Sequence, residues 1–127
     1  DSGLYEELEE REQINQNLYI DLLYLNTVIQ DDDFKKPANA LMFIVVDEET
    51  EVIMHGDLLK PGDDEIEVVL NFFIPFILET GIPKKVHVRN PNVHAAIIDI
   101  CERCHIQIDM GNMGVVDNII DEMKEIM

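Results

Sequence analysis

Leu41-Met42-Phe43-Ile44-Val45-Val46 is an unbroken apolar run too short for a buried helix. A strand with one wet face alternates apolar and polar side chains, whereas one covered on both faces is apolar throughout. The chain must therefore supply layers for both sides of a sheet. Asp47-Glu48-Glu49-Thr50 provides a turn, and residues 51–57 return as the second arm of a hairpin. Asp63-Asp64-Glu65 places capping and dipole-compatible acids before a helix carrying Val68, Val69, Phe72, Phe73, Phe76 and Ile77, which Gly81 and Pro83 end. Pro75 inside it predicts a kink. Residues 85–89 form the next strand. Asn90 is an N-cap with Pro91 at the first helical position, and Val93, Ile97, Ile100 and Cys104 mark the buried stripe of the helix that follows. Residues 106–110 are the last strand, and Gly111 to Gly114 turn the chain into a terminal helix with Val116, Ile119, Ile120, Met123 and Met127. A hairpin followed by strand-helix alternation predicts an α/β fold, a mixed sheet with helices on both faces.

The N-terminal third reads differently. Leu4, Leu8, Leu18, Leu22, Leu25 and Ile29 fall near helical spacing, so residues 4–29 predict one long helix with acidic first turns. Asp31-Asp32-Asp33 and the breaker Lys35-Lys36-Pro37 follow it. This divides the chain into an acidic amphipathic helix over 1–33 and an α/β domain over 38–127. Leu18 to Val28 is apolar over most of the helix circumference, which predicts packing on the domain and on a further surface, such as a second copy in a homodimer.

With 127 residues the chain makes one core that needs no disulfide staple. No stretch approaches the length of a membrane span, and no signal-peptide pattern is present, so the expected location is cytoplasmic. The opening at Asp1 fits an excised or processed domain. The net charge is -18, and it is spread: residues 1–33 carry ten acids against Arg11, and the remainder seventeen acids against eight Lys and Arg. Nucleic-acid binders neutralise phosphates with Lys and Arg, so direct binding of DNA or RNA is not expected. Solubility accounts for such a charge, and mimicry of nucleic acid toward a basic cleft is the sharper alternative.

The hairpin "FIVVDEETEVIMHGDL", the segment "ETGIPKKVHVRNP", the helix "NVHAAIIDICERCHI" and the final "GVVDNIIDEMKEI" resemble, in order and spacing, the later part of the catalytic core of retroviral-type integrases and transposases in the ribonuclease H-like superfamily. The chain also resembles a microbial domain family with the same reduced pattern, from which no activity carries over. The resemblance implies two metal ions held by acids on the first strand, at the end of the fourth strand and on the last helix. Asp117 in "GVVD" matches the helix acid. The strand-end acid falls at Arg89, immediately before Asn90, where a cation repels metal. The first strand should precede the hairpin, where only the predicted long helix and the linker over 35–40 lie, and Asp47 matches a turn acid. One of three acids is thus expected.

Cys101-Glu102-Arg103-Cys104-His105 has the CxxCH spacing of haem attachment, but it ends a predicted helix on its apolar stripe. A redox CxxC needs a helix N-terminus. Zinc held by Cys101, Cys104, His105 and His94 lacks a finger spacing. The two cysteines are read as reduced core residues, and His55 and His87 as structural histidines in strands. The methionines Met110, Met113, Met123 and Met127 are read as packing. No metal or cofactor is expected.

The sequence therefore predicts a catalytically inert binding or regulatory module with a protein partner. Its surfaces are the N-terminal helix and a groove near Asp47, Asn90 and Asp117. The alternative is a remnant metal-dependent nuclease or phosphotransfer domain completed by a partner.

Overall fold

Residues 17–31 form a strand and not the second half of a helix. The computed structural model describes residues 2–31 and 34–126, with side chains described over 3–25 and 41–126. The helix expected over 4–29 shrinks to α1 (Ser2–Glu9), and after a short irregular segment the chain enters β1 (Asn17–Asp31). The reason is burial on all sides. Leu18, Tyr19, Ile20, Leu22 and Leu25 are all buried, and an all-round apolar run satisfies both faces of a central strand without leaving a wet side. Aromatic and β-branched residues at Tyr19, Ile20 and Tyr24 favour the same outcome. The apolar circumference that suggested a homodimer through the helix is thus the middle of the sheet. Of the acidic run, Asp32 and Asp33 lie outside the described residues. Lys35-Lys36-Pro37, read as a breaker, falls within β2.

The remaining elements are β2 (Phe34–Asp47), β3 (Ile53–Leu59), α2 (Glu65–Glu79), β4 (Lys85–Val88), α3 (Pro91–Cys104), β5 (Gln107–Met110) and α4 (Gly114–Ile126). The sheet order is β3-β2-β1-β4-β5. The first three strands are an antiparallel meander, and β4 and β5 run parallel to β1. Because β1 is the central strand, a sheet beginning at residue 38 would lack its middle, and the first third of the chain belongs to the α/β unit.

Side chains alternate across β1 and β2 into two cores. Leu18, Ile20, Leu22, Phe43 and Val45 join α1, α2 and α3 on one face, while Tyr19, Leu25, Met42, Ile44 and Val46 meet Met113 and, from α4, Val116 and Ile120 on the other. Helix α2 continues through Pro75, which stands on its exposed side. Asp64 caps it by accepting from the Ile66 and Glu67 amides. α1 is fixed by Leu8, which is fully buried, and by Arg103 of α3 lying 4.4 Å over the Tyr5 ring. The segment after α1 runs beside Ile82, whose amide donates to Glu12 O and whose carbonyl accepts from Ile14 N. Gly81 allows that approach: at φ 129° a Cβ there would lie 2.9 Å from Glu12 O and 2.6 Å from an Ile14 methyl.

Candidate functional site

The α4 face of the sheet carries two adjacent polar groups. The parallel register of β1 and β4 pairs Tyr19 with His87, so two residues further along each chain Asp21 and Arg89 emerge on the same face. Asp21 is fully buried, and its Oδ1 accepts from the Leu22 amide at 3.0 Å. Arg89 follows the last residue of β4. Its Nε and Nη2 reach Asp21 Oδ2 at 2.9 and 2.8 Å, while Nη1 and Nη2 donate to the two oxygens of Asp117 at 3.1 and 2.6 Å. Asp117 arrives in the first turn of α4 because Gly111, at φ 100°, turns the chain after β5, with its amide bonded to Val88 O. Asn90 locks the frame. Its Oδ1 caps α3 through the Asn92 and Val93 amides, and its Nδ2 donates to Leu22 O on β1.

The electrostatics follow from burial. Loss of water pushes the Asp21 carboxyl above its ordinary range, against the downward pull of Arg89 and of the Leu22 amide. Arg89 is driven further up, first by its hydrogen bonds to Asp117 and then by Asp21, and so stays a cation. A planar guanidinium stands between the two carboxylates, within hydrogen-bond distance of both. Among the described residues no group of three His, Cys, Asp or Glu could hold a metal. Two acids joined by a fixed cation do not fit the pair of metal ions that the ribonuclease H-like resemblance implies.

The second polar group lies next to the first. His87, nearly fully buried, stacks on Tyr19 with ring centroids 4.5 Å apart. Its Nδ1 faces Asp109 Oδ2 of β5 at 2.8 Å and its Nε2 faces Glu48 Oε2 of the β2–β3 turn. Asn17 Nδ2 donates to the other Glu48 oxygen at 3.1 Å. A neutral imidazole has one donor and one acceptor, so hydrogen bonds to two carboxylates require one extra proton within the Glu48, His87 and Asp109 set. The cluster ties the turn, β1, β4 and β5 together.

Of the residues the sequence offered for the groove, Asn90 and Asp117 flank Arg89, while Asp47 stands apart. Asp47 is level with Leu18 of β1, three residues and roughly 10 Å from Asp21 along the strand. There it accepts from Gln16 Nε2 at 3.0 Å and from the Thr50 amide and hydroxyl at 2.9 and 2.7 Å. The Thr50 hydroxyl leads the causes that hold its carboxyl below the ordinary range. It is a turn acid, as its alignment implied. Cys101 and Cys104 are buried free thiols, with burial pushing Cys101 up to about 12. His105 ends α3 in the left-handed region at φ 58°. His55 touches Phe43 and Phe72, and His87 has the partners that the strand pattern did not reveal.

Asp21 is the residue that the sequence reading missed. It stands on the central strand, with Arg89 between it and Asp117. The available signal was a lone carboxylate inside "NLYIDLLYL", a run as apolar on both faces as Leu41 to Val46.

The fold places the chain among known structures. It is similar to the integrase catalytic core domain of HTLV-2 described in complex with magnesium, in a dimeric form (TM-score 0.58, 16% identity, 87% of this chain and 68% of that one). The trimeric form of that core gives a TM-score of 0.57 at 13% identity over the same shares. A chain of the simian T-cell lymphotropic virus intasome in complex with PP2A regulatory subunit B56 gamma gives 0.57 at 13%, covering 83% of this chain and 37% of that one. At these identities the likeness establishes the ribonuclease H-like fold alone. No curated protein matches the sequence. A family model described as a domain of unknown function, DUF6930, matches residues 4–124, and the chain belongs to that family.

Proposed function

We propose that this domain is a catalytically inert binding module built on a ribonuclease H-like fold, and that its ligand is another protein. The observation that carries the reading is Arg89. Its guanidinium engages both surviving acids, Asp21 and Asp117, through all three of its nitrogens. A partner that supplied a missing acid would first have to remove this cation from a fully buried carboxylate, at a cost of several kcal/mol. The charge of -18 supports a protein over a nucleic-acid ligand, because phosphate binding needs the opposite sign. The integrase cores of similar fold are described in dimeric and trimeric forms, which fits a scaffold that presents association surfaces. The surface around Asn90 and Asp117 is where this reading seats the partner. No helix among the described residues is long and apolar enough to cross a membrane.

The test is calorimetric titration with magnesium and with manganese, run beside cleavage assays on single- and double-stranded DNA and RNA. The expected result is no cleavage and no metal binding that Asp117→Ala removes. Metal-dependent cleavage abolished by Asp117→Ala or Asp21→Asn would overturn the reading and establish a nuclease.

A further inference from the structure

Among the described residues β3 is the outer strand of the sheet, paired to β2 on one side only. Exposed edges of this kind are blunted by charged side chains, proline, bulges or a covering element, because their free amides and carbonyls template another strand. Within Ile53–Leu59 there is neither lysine nor proline. Asp57 and the bulge at Met54 are its edge-blunting features, and Val52 just before it and Ile53, Met54 and Leu58 within it stand exposed. One irregularity, an extra residue at Met54 where the register passes from Val45↔His55 to Val46↔Ile53, leaves residues 55–59 regular.

We propose that β3 is a self-association edge, on which a second copy of this chain pairs its own β3 antiparallel about a two-fold axis at Gly56 and joins the two sheets into one. The strand is self-complementary in this register. With the axis at Gly56, His55 faces the partner's Asp57, and the symmetry makes that pair twice. His55 and Asp57 lie on one face of the sheet, since they pair with Val45 and Phe43, whose side chains share one core. The His55 ring is already positioned by Phe43 and Phe72, at centroid distances of 5.4 and 5.5 Å. Registers that preserve the faces move the axis by one residue and are mismatched. An axis at His55 sets imidazole on imidazole and Ile53 on Asp57. An axis at Asp57 sets carboxylate on carboxylate and His55 on Leu59. Gly56, where a Cβ would lie 3.1 Å from the Met42 methyl of β2, falls on the axis.

The charge sets the sign of the salt response. Two chains of -18 repel, so the pairing is weak at low ionic strength and tightens as salt screens the repulsion. A strand from a basic partner, the other occupant such an edge accepts, would loosen instead. This pairing is independent of whether the groove at Arg89 supports chemistry, so its failure would leave the binding-module reading standing.

The experiment is sedimentation velocity on the full chain over a wide concentration range at about 0.1 M and about 1 M salt, where the screening length falls from about 10 Å to about 3 Å. The expected result is a monomer–dimer equilibrium that tightens with salt. His55→Asp and Asp57→His each weaken it by about tenfold, and the swapped double variant restores it to within about threefold of the original. Both positions are exposed, and circular dichroism checks folding. Hydrogen exchange of the residue 54–58 amides, with protection rising with concentration in the unaltered chain, tests the edge without any variant. A monomer at every concentration and salt overturns the proposal. So does an association that loosens with salt, ignores the swap, or leaves those amides unprotected.

Discussion

Arg89 meets Asp117 with two nitrogens on two oxygens, while its Nε is held by Asp21 of the central strand. The two carboxylates differ: Asp21 is fully buried, and the Asp117 side chain is half-exposed. Removing a cation from a buried acid leaves an uncompensated charge, whereas an exposed ion pair contributes little. Arg89→Ala is therefore expected to cost about 3 kcal/mol in urea denaturation, and Asp117→Ala under about 1 kcal/mol. Arg89→Lys keeps the charge but loses the fork and falls between them. Equal losses for Arg89→Ala and Asp117→Ala would show that the buried half of the contact is not the stabilising one.

Acid acts through the β2–β3 turn. Asp47, held low first by the Thr50 hydroxyl, and Glu48, held low first by Asn17 and then His87, both titrate below their ordinary values of 3.8 and 4.5. A carboxyl with a lowered folded value contributes stability that is complete above its unfolded value and is lost as pH falls through the folded one. Asp21, held high by burial, works in the opposite sense. The denaturation midpoint is expected to drop as pH falls below 4.5, and Asn17→Ala, which frees Glu48, flattens that dependence. An unchanged slope in Asn17→Ala would contradict this assignment.

His87 serves two carboxylates and one ring. His87→Phe keeps the stack on Tyr19 but leaves Glu48 and Asp109 without their shared donor, an expected cost of about 2 kcal/mol. His87→Ala loses the stack as well, roughly a further 1 kcal/mol. Thermal denaturation of the pair separates the two contributions, and a His87→Phe chain as stable as the original would show that the hydrogen bonds contribute nothing.

The thiols report on opening of the α3 face. Cys101 is pushed up to about 12 and Cys104 is raised, in both cases first by burial. Native protein at about pH 8 is expected to alkylate slowly, at a rate that follows unfolding, and both thiols should react at once in denaturant. Immediate modification of either in the folded chain would contradict their core placement.

The region from Leu41 onward was legible because its elements obey clear periods and carry their own stops. Asn90 and Pro91 open α3, Asp64 caps α2, and apolar runs separate cleanly from turns. Leu18 to Val28 was not. A run that is apolar almost everywhere has no period, and Leu18, Leu22, Leu25 and Ile29 satisfy a helical template as well as any other. The choice between helix and strand was made by what lies beside it: β2 on one edge and β4 on the other. With residues 4–29 read as a helix, nothing placed Asp21 beside Arg89, which the sequence sets at the strand-end acid position. Glu48, His87 and Asp109 come from a turn and two strands, and only the pairing of β4 with β1 and β5 brings them together.

The position of β1 also sets an order of assembly. The meander from β1 to β3 uses near neighbours and is complete by Leu59, but β4 closes on β1 only across 68 residues of chain. Long-range parallel pairing of this kind is slow. A chain emerging from the ribosome therefore carries the open edge of its central strand until Val88 has appeared, and through that interval the nascent domain depends on whatever shields that edge.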